Sequence, residues 1–228
     1  MRNYLTEFIG TFFLVLTIGL TVLSGTPLAP LAIGSALMIM VYMGGHISGG
    51  HYNPAVSLAV LMRGKMASTG EFLGYVISQC AGAVVAALAV YVIMGRTFAP
   101  APATGASLTG VLLVEVLYTF ALALVVLNSA ASAKTHGNSF YGIAIGFTIV
   151  VAAFAGGPIS GGAFNPAVGL GPIVVDALIS GGTAANLWIY LVGPLAGGAL
   201  AAVVFGLQER EPVQLHAEPS RVPESRPA

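Results

Sequence analysis

The chain has 228 residues, 57% of them hydrophobic and 7% charged, and its basic and acidic side chains cancel to a net charge of zero. Ordinary soluble domains carry roughly 25% charged residues, so this composition excludes a soluble globular protein. With no basic stripe, a nucleic-acid partner is not expected either.

The first apolar run covers residues 4–24 and opens with Glu7-Phe-Ile-Gly-Thr11. Arg2 ahead of it gives the look of a secretory signal, but the run is long and carries Glu7 inside, so a retained span is expected. A second run covers 30–44 and contains Leu31-Ala-Ile-Gly34. Then comes the string Ile47-Ser-Gly-Gly-His-Tyr-Asn-Pro-Ala-Val56. Asn53 is a good N-cap and Pro54 is favoured at the first helical position, so a short helix over about 53–61 is expected, ending before Arg63 and Lys65. The Gly pair ahead of it is expected to run extended and line a cavity. The third run, 70–94, holds the single Cys80, which has no partner for an internal disulfide.

Residues 96–108, with Pro100 and Pro102, read as a linker. After it the pattern starts again. The fourth run, 109–128, carries Glu115-Val-Leu-Tyr-Thr119, and the fifth, 139–156, carries Ile143-Ala-Ile-Gly146. Ile159 to Val168 repeats the earlier string at an offset of 112 residues with eight of ten positions identical, predicting a second short helix over about 165–174. The sixth run, 185–207, matches the third, with Gly197 on Gly82. From 208 to 228 the chain turns polar and Pro-rich, and a disordered cytoplasmic tail is expected.

A helix needs roughly 20 residues to cross a hydrocarbon layer of ~30 Å, and most of the six runs approach that. Backbone groups in lipid must be satisfied internally, and the two-residue alternation of barrel strands is absent, so the spans are helices. The fold class is an all-α membrane protein: six transmembrane helices plus two re-entrant half-helices in one domain, residues 1–207. Each half (about 4–94 and 109–207) has three spans, an odd number, so the halves are inverted repeats. With the N-terminus inside, seven of the eight Lys and Arg residues are cytoplasmic and only Arg96 is outside. Both termini are therefore placed in the cytoplasm of a multi-pass cell-membrane protein, plasma or inner. Inversion brings the half-helix N-termini together at the midplane, each with roughly +0.5 elementary charge.

Two Asn-Pro-Ala triplets in inverted halves, each in register with a Glu-x-x-x-Thr segment, resemble the aquaporin, or major intrinsic protein, family over about residues 4–207. The resemblance implies one pore per subunit, usually in a homotetramer, with water and small uncharged solutes as partners, the lipid bilayer around it, and neither cofactor nor metal. It places Asn53, Pro54, Ala55, Asn165, Pro166 and Ala167 at the central constriction. It makes Glu7 and Glu115 braces of the half-helix loops, and His46 and His51 loop struts or pore-lining hydrogen-bonders. The barrier of opposed helix dipoles against protons and cations is the one already known for aquaporin-type pores.

The same resemblance puts a narrower ring at Ile33, Ala153, Gly162 and Val168. Water-selective members have an aromatic, a His and an Arg where this chain has Ile33, Ala153 and Val168. Glycerol-conducting members usually follow that Arg with Asp, where this chain has Gly169. The ring here is wider and poorer in hydrogen bonds. A passive pore is expected, open to water and to solutes such as glycerol, urea or metalloid acids. A strict water channel with an inward-relaxed filter is the first alternative. A non-conducting structural or adhesion protein is the second, although two intact Asn donors argue against it. With no nucleophile–base pair or cofactor motif, an enzyme is not expected.

Overall fold

The computed structural model describes residues 1–209. The expected tail lies, apart from Gln208 and Glu209, outside the described residues. Eight α-helices follow in order: α1 (Arg2–Ser24), α2 (Ala29–Ser48), α3 (Pro54–Met62), α4 (Thr69–Met94), α5 (Leu108–Val126), α6 (Tyr141–Ser160), α7 (Pro166–Ile179) and α8 (Leu187–Gln208). A π turn, Leu127–Ala131, prolongs α5. Six helices are long and apolar enough to cross a membrane, while α3 and α7 are not. At 1.5 Å per residue, the nine residues of α3 and the 14 of α7 reach roughly 13 and 21 Å.

Glycine sets the helix ends. Gly25, Gly49, Gly95 and Gly161 adopt left-handed conformations as C-caps of α1, α2, α4 and α6. The second and fifth runs therefore continue four residues past the expected ends at Gly44 and Gly156. Those glycines sit inside the helices, and the stop comes at the next glycine with positive φ. Helix α7 also outlasts its expected end at 174, because helix-compatible residues continue to Ile179 before Ser180, Gly181 and Gly182 break the turn.

The two halves pack alike. Helix α1 lies on α4, α5 lies on α8, and α2 meets α6 across the pseudo-two-fold axis. At each crossing a glycine lets two backbones touch. A Cβ on Gly82 would stand 2.5 Å from Phe8 O, and one on Gly34 would stand 2.5 Å from Gly146 O. A Cβ on Gly197 would be driven into Val116 O. Small residues at interhelical contacts are how membrane helices gain close packing in the absence of a hydrophobic driving force.

The half-helices are held crosswise. Helix α3, from the first half, packs on α8 of the second, where Gly198 faces the Ala55 carbonyl. Helix α7, from the second half, packs on α4 of the first, where Gly171 lies against Ala83. Meanwhile Phe13, Ile77, Val92, Phe147, Val151 and Val203 are exposed on the outer surface, as a lipid-facing wall requires.

Because the neighbour of Gly197 is backbone, it cannot swing away. Gly197→Leu is expected to cost ~3 kcal/mol or more through overpacking, lowering the thermal midpoint in detergent. Gly70→Ala, whose Cβ would meet only Ser68 Oγ at 3.6 Å, is the near-neutral control.

Candidate functional site

The loops that lead into the half-helices share one design. Expected as extended, both Gly pairs are instead left-handed: φ is 89° and 63° at Gly49 and Gly50, and 90° and 67° at Gly161 and Gly162. Tyr52 and Phe164 follow at φ 49° each, a conformation costing roughly 1–2 kcal/mol for a residue with a Cβ. Something must hold each turn in place.

Two buried carboxylates do so. Glu7 Oε1 accepts from Ser48 Oγ at 2.6 Å and from His51 N at 3.0 Å. Glu7 Oε2 accepts from Tyr52 N and Gln79 Nε2, both at 2.7 Å. In the other half, Glu115 Oε1 accepts from Ser160 Oγ at 2.7 Å and Ala163 N at 3.1 Å, and Oε2 accepts from Phe164 N at 2.7 Å. Tyrosine hydroxyls tie the preceding helix ends: Tyr75 donates to Ser48 O at 2.7 Å and Tyr190 to Ser160 O at 2.6 Å. Glu7 and Glu115 thus sit where loop braces belong, fully buried and facing backbone N–H groups.

The triplets meet as a reciprocal pair. Asn53 Oδ1 caps its own helix by accepting from Ala55 N at 2.8 Å, while Asn53 Nδ2 donates to Phe164 O at 2.9 Å. Asn165 Oδ1 accepts from Ala167 N at 2.9 Å, and Asn165 Nδ2 donates to Tyr52 O at 2.8 Å. An amide has two N–H donors, so one hydrogen on each Asn stays free for a passing oxygen. Pro54 and Pro166 occupy the first helical positions, and Ala55 and Ala167 the second, all buried.

Ile33, Ala153, Gly162 and Val168 line a single cavity of about 480 Å³ together with Asn53 and Asn165. None of the four side chains can donate a hydrogen bond. A second cavity of about 410 Å³, bordered by Asn3, Lys65, Glu71 and Tyr75, shares His51 and Val126 with the first. His51 Nδ1 lies 3.1 Å from Ser57 Oγ, which also accepts from Gln79 Nε2 at 3.0 Å. His46 is different: it is exposed on the last turn of α2, lines neither cavity and makes no hydrogen bond among the described residues. The strut expected there is Ser48, two residues further, whose hydroxyl reaches Glu7.

Sequence reasoning passed over Ser48, Ser160, Ser57 and Gln79. The serines stand inside or beside the repeated string, and Tyr190 falls on Tyr75 when Gly197 is laid on Gly82. Gln79 had no such signal, because its counterpart at the same register is Pro194.

The family model described as major intrinsic protein matches residues 1–205. The chain belongs to the major intrinsic protein family. It is 38% identical to "Glycerol uptake facilitator protein-like 6" of Lactiplantibacillus plantarum over 218 residues, 89% of this chain and 95% of that one. It is 36% identical to "Aquaporin TIP2-3" of Arabidopsis thaliana over 222 residues, 90% of this chain and 86% of that one. Its fold is similar to that of the aquaglyceroporin from Plasmodium falciparum, with a TM-score of 0.80 at 24% identity, covering 90% of this chain and 94% of that one. This major intrinsic protein is a multi-pass membrane channel, passive and not an enzyme, for water and small solutes.

Substituting Glu115 by Gln puts a donor where an acceptor is needed and leaves a buried N–H unpaired. A loss of ~1–3 kcal/mol is expected, read as a lower thermal midpoint in detergent. An unchanged midpoint would mean that the carboxylate does not hold the turn.

Proposed function

We propose that this channel passes water and also uncharged solutes larger than water, such as glycerol, urea or undissociated metalloid acids. The observation that carries this reading is the composition of the outer ring. Ile33, Ala153, Gly162 and Val168 face the same cavity as both Asn amides, with no aromatic, His or Arg among them. A solute there meets apolar walls and backbone, then two N–H donors at the centre. The positive ends of α3 and α7, about +1 in sum, oppose cations and protons without a fixed side-chain charge. A relative named as a glycerol uptake facilitator and another named as an aquaporin support both ends of this solute range. The channel resides in the plasma or inner membrane as a homotetramer, as is usual for the family, with both termini cytoplasmic; the seven-to-one distribution of basic residues supports that orientation.

Reconstituted into vesicles, the protein is expected to raise water and glycerol permeability above that of empty vesicles in stopped-flow light scattering. Val168→Arg restores bulk, donors and charge to the ring. It is expected to cut glycerol and urea flux far more than water flux, since water passes beside a guanidinium in single file. If wild type and variant are equally selective for water, the wide-filter reading fails and the strict water channel takes its place.

A further inference from the structure

The triplets and their helices leave one stretch of the cavity wall unexplained. Phe98, Ala99, Pro100 and Ala101, from the linker between the halves, line the same cavity as the outer ring. This segment is fastened on both sides of the mouth. Thr97 Oγ1 donates to Asp176 Oδ1 at 2.5 Å and lies 2.7 Å from Ser180 Oγ, which ties it to the end of α7. Beyond the lining residues, Ala103 N donates to Ile159 O in the last turn of α6 at 3.0 Å. Between these points the Ala101 backbone presses on Gly161, where a Cβ would stand 2.7 Å from both Ala101 N and Ala101 O.

The strap is also stiff. Its sequence alternates as Ala-Pro-Ala-Pro-Ala from Ala99 to Ala103. Each Pro fixes its own φ and pushes the residue before it into extended or polyproline geometry, so the segment has little freedom to bow outward. Phe98 pins its start. The ring lies over Gly19 of α1, beside Val90 of α4, so that a Cβ on Gly19 would stand 2.5 Å from Phe98 Cε1. Tyr52 and Phe164 also border the cavity, but they are 0% and 1% exposed, their rings packed inside the protein. Phe98 keeps part of its surface open.

We propose that residues 97–103 form a fifth wall of the pore that sets its upper size limit, with Phe98 as a specificity-determining side chain and Thr97 as a positioning residue. The inference rests on the channel reading given above. An outer ring of Ile, Ala, Gly and Val has no aromatic, His or Arg side chain to reach across the path. A rigid strap wedged by an aromatic narrows it from the side, admitting a slender polyol such as glycerol and holding back a longer one such as xylitol.

The test compares water, glycerol and xylitol permeability of full-length wild type, Phe98→Ala, Phe98→Leu and Thr97→Val in proteoliposomes. Phe98→Ala is expected to raise the xylitol-to-water ratio roughly tenfold, the scale on which a wall moved by about a methylene discriminates solutes. Phe98→Leu still fills the notch over Gly19 and is expected to stay near wild type. Thr97→Val loses the tie to Asp176 and is expected to shift the ratio in the same direction by less. An unchanged ratio in folded Phe98→Ala overturns the proposal, as does a rise matched by an equal rise in Phe98→Leu. Where Phe98→Ala does not fold, an unchanged ratio in Thr97→Val overturns it. Wild-type vesicles no more permeable to water and glycerol than empty ones would instead sink the channel reading on which the proposal rests.

Discussion

Two helix ends of the same polarity face each other at the middle of this protein, and the rest of the structure answers to that. Each end carries roughly half a positive charge, and in a low-dielectric interior such ends repel. The reciprocal bonds from Asn53 Nδ2 to Phe164 O and from Asn165 Nδ2 to Tyr52 O place a carbonyl dipole from each loop against the opposite helix start. Those carbonyls are in position only because Tyr52 and Phe164 adopt left-handed backbone. That backbone in turn stands only because Glu7 and Glu115 gather the N–H groups of the turns. The hydrogen bonds that seat the two helix ends are continuous with those that hold the loops.

The duplication is faithful where this constraint acts and loose elsewhere. Glu7 and Glu115, Ser48 and Ser160, Tyr75 and Tyr190 keep the same partners in both halves. Other pairs have traded volume. Gly10 leaves space that the Tyr52 ring occupies, while Tyr118, at the matching place in the second half, packs edge-on against the smaller Phe164. Polarity has diverged as well. The first half carries the chain Glu7–Gln79–Ser57–His51, and the second has Pro194 and Ala163 at the places of Gln79 and His51. His51 therefore borders both cavities, whereas Ala163, at its place in the second half, offers the first cavity only a methyl group.

This mixture explains what could be read from sequence. Spans, half-helices and inversion were legible because apolar runs and the repeated string report local physics: hydrocarbon thickness and helix starts. Asn53, Asn165 and the four ring positions indicated by the family resemblance line one cavity, while Pro54, Ala55, Pro166 and Ala167 are buried behind it in the first turns of their helices. Three things were not legible. The direction of His46 depends on α2 running on to Ser48, and the ends of α2 and α6 depend on which glycine turns left-handed. The approach of the Pro-rich linker to the mouth depends on Thr97, Asp176 and Ser180 coming together, contacts between residues far apart in the chain. None of these leaves a periodic trace.

The crosswise seating of the half-helices bears on how the protein is made. Helix α3 leaves the ribosome early, yet the wall it leans on, at Gly198 of α8, is among the last segments of the fold to appear. At common translation speeds that interval is on the order of ten seconds. For that time a nine-residue helix, too short to cross the bilayer and with the Phe164 carbonyl that faces its start not yet made, waits in or beside the membrane without its final support. The early brace from Glu7 to its loop, made entirely of first-half residues, is what is available to hold it. Biogenesis thus has a built-in sequence: a self-contained brace first, then closure from the far end of the chain.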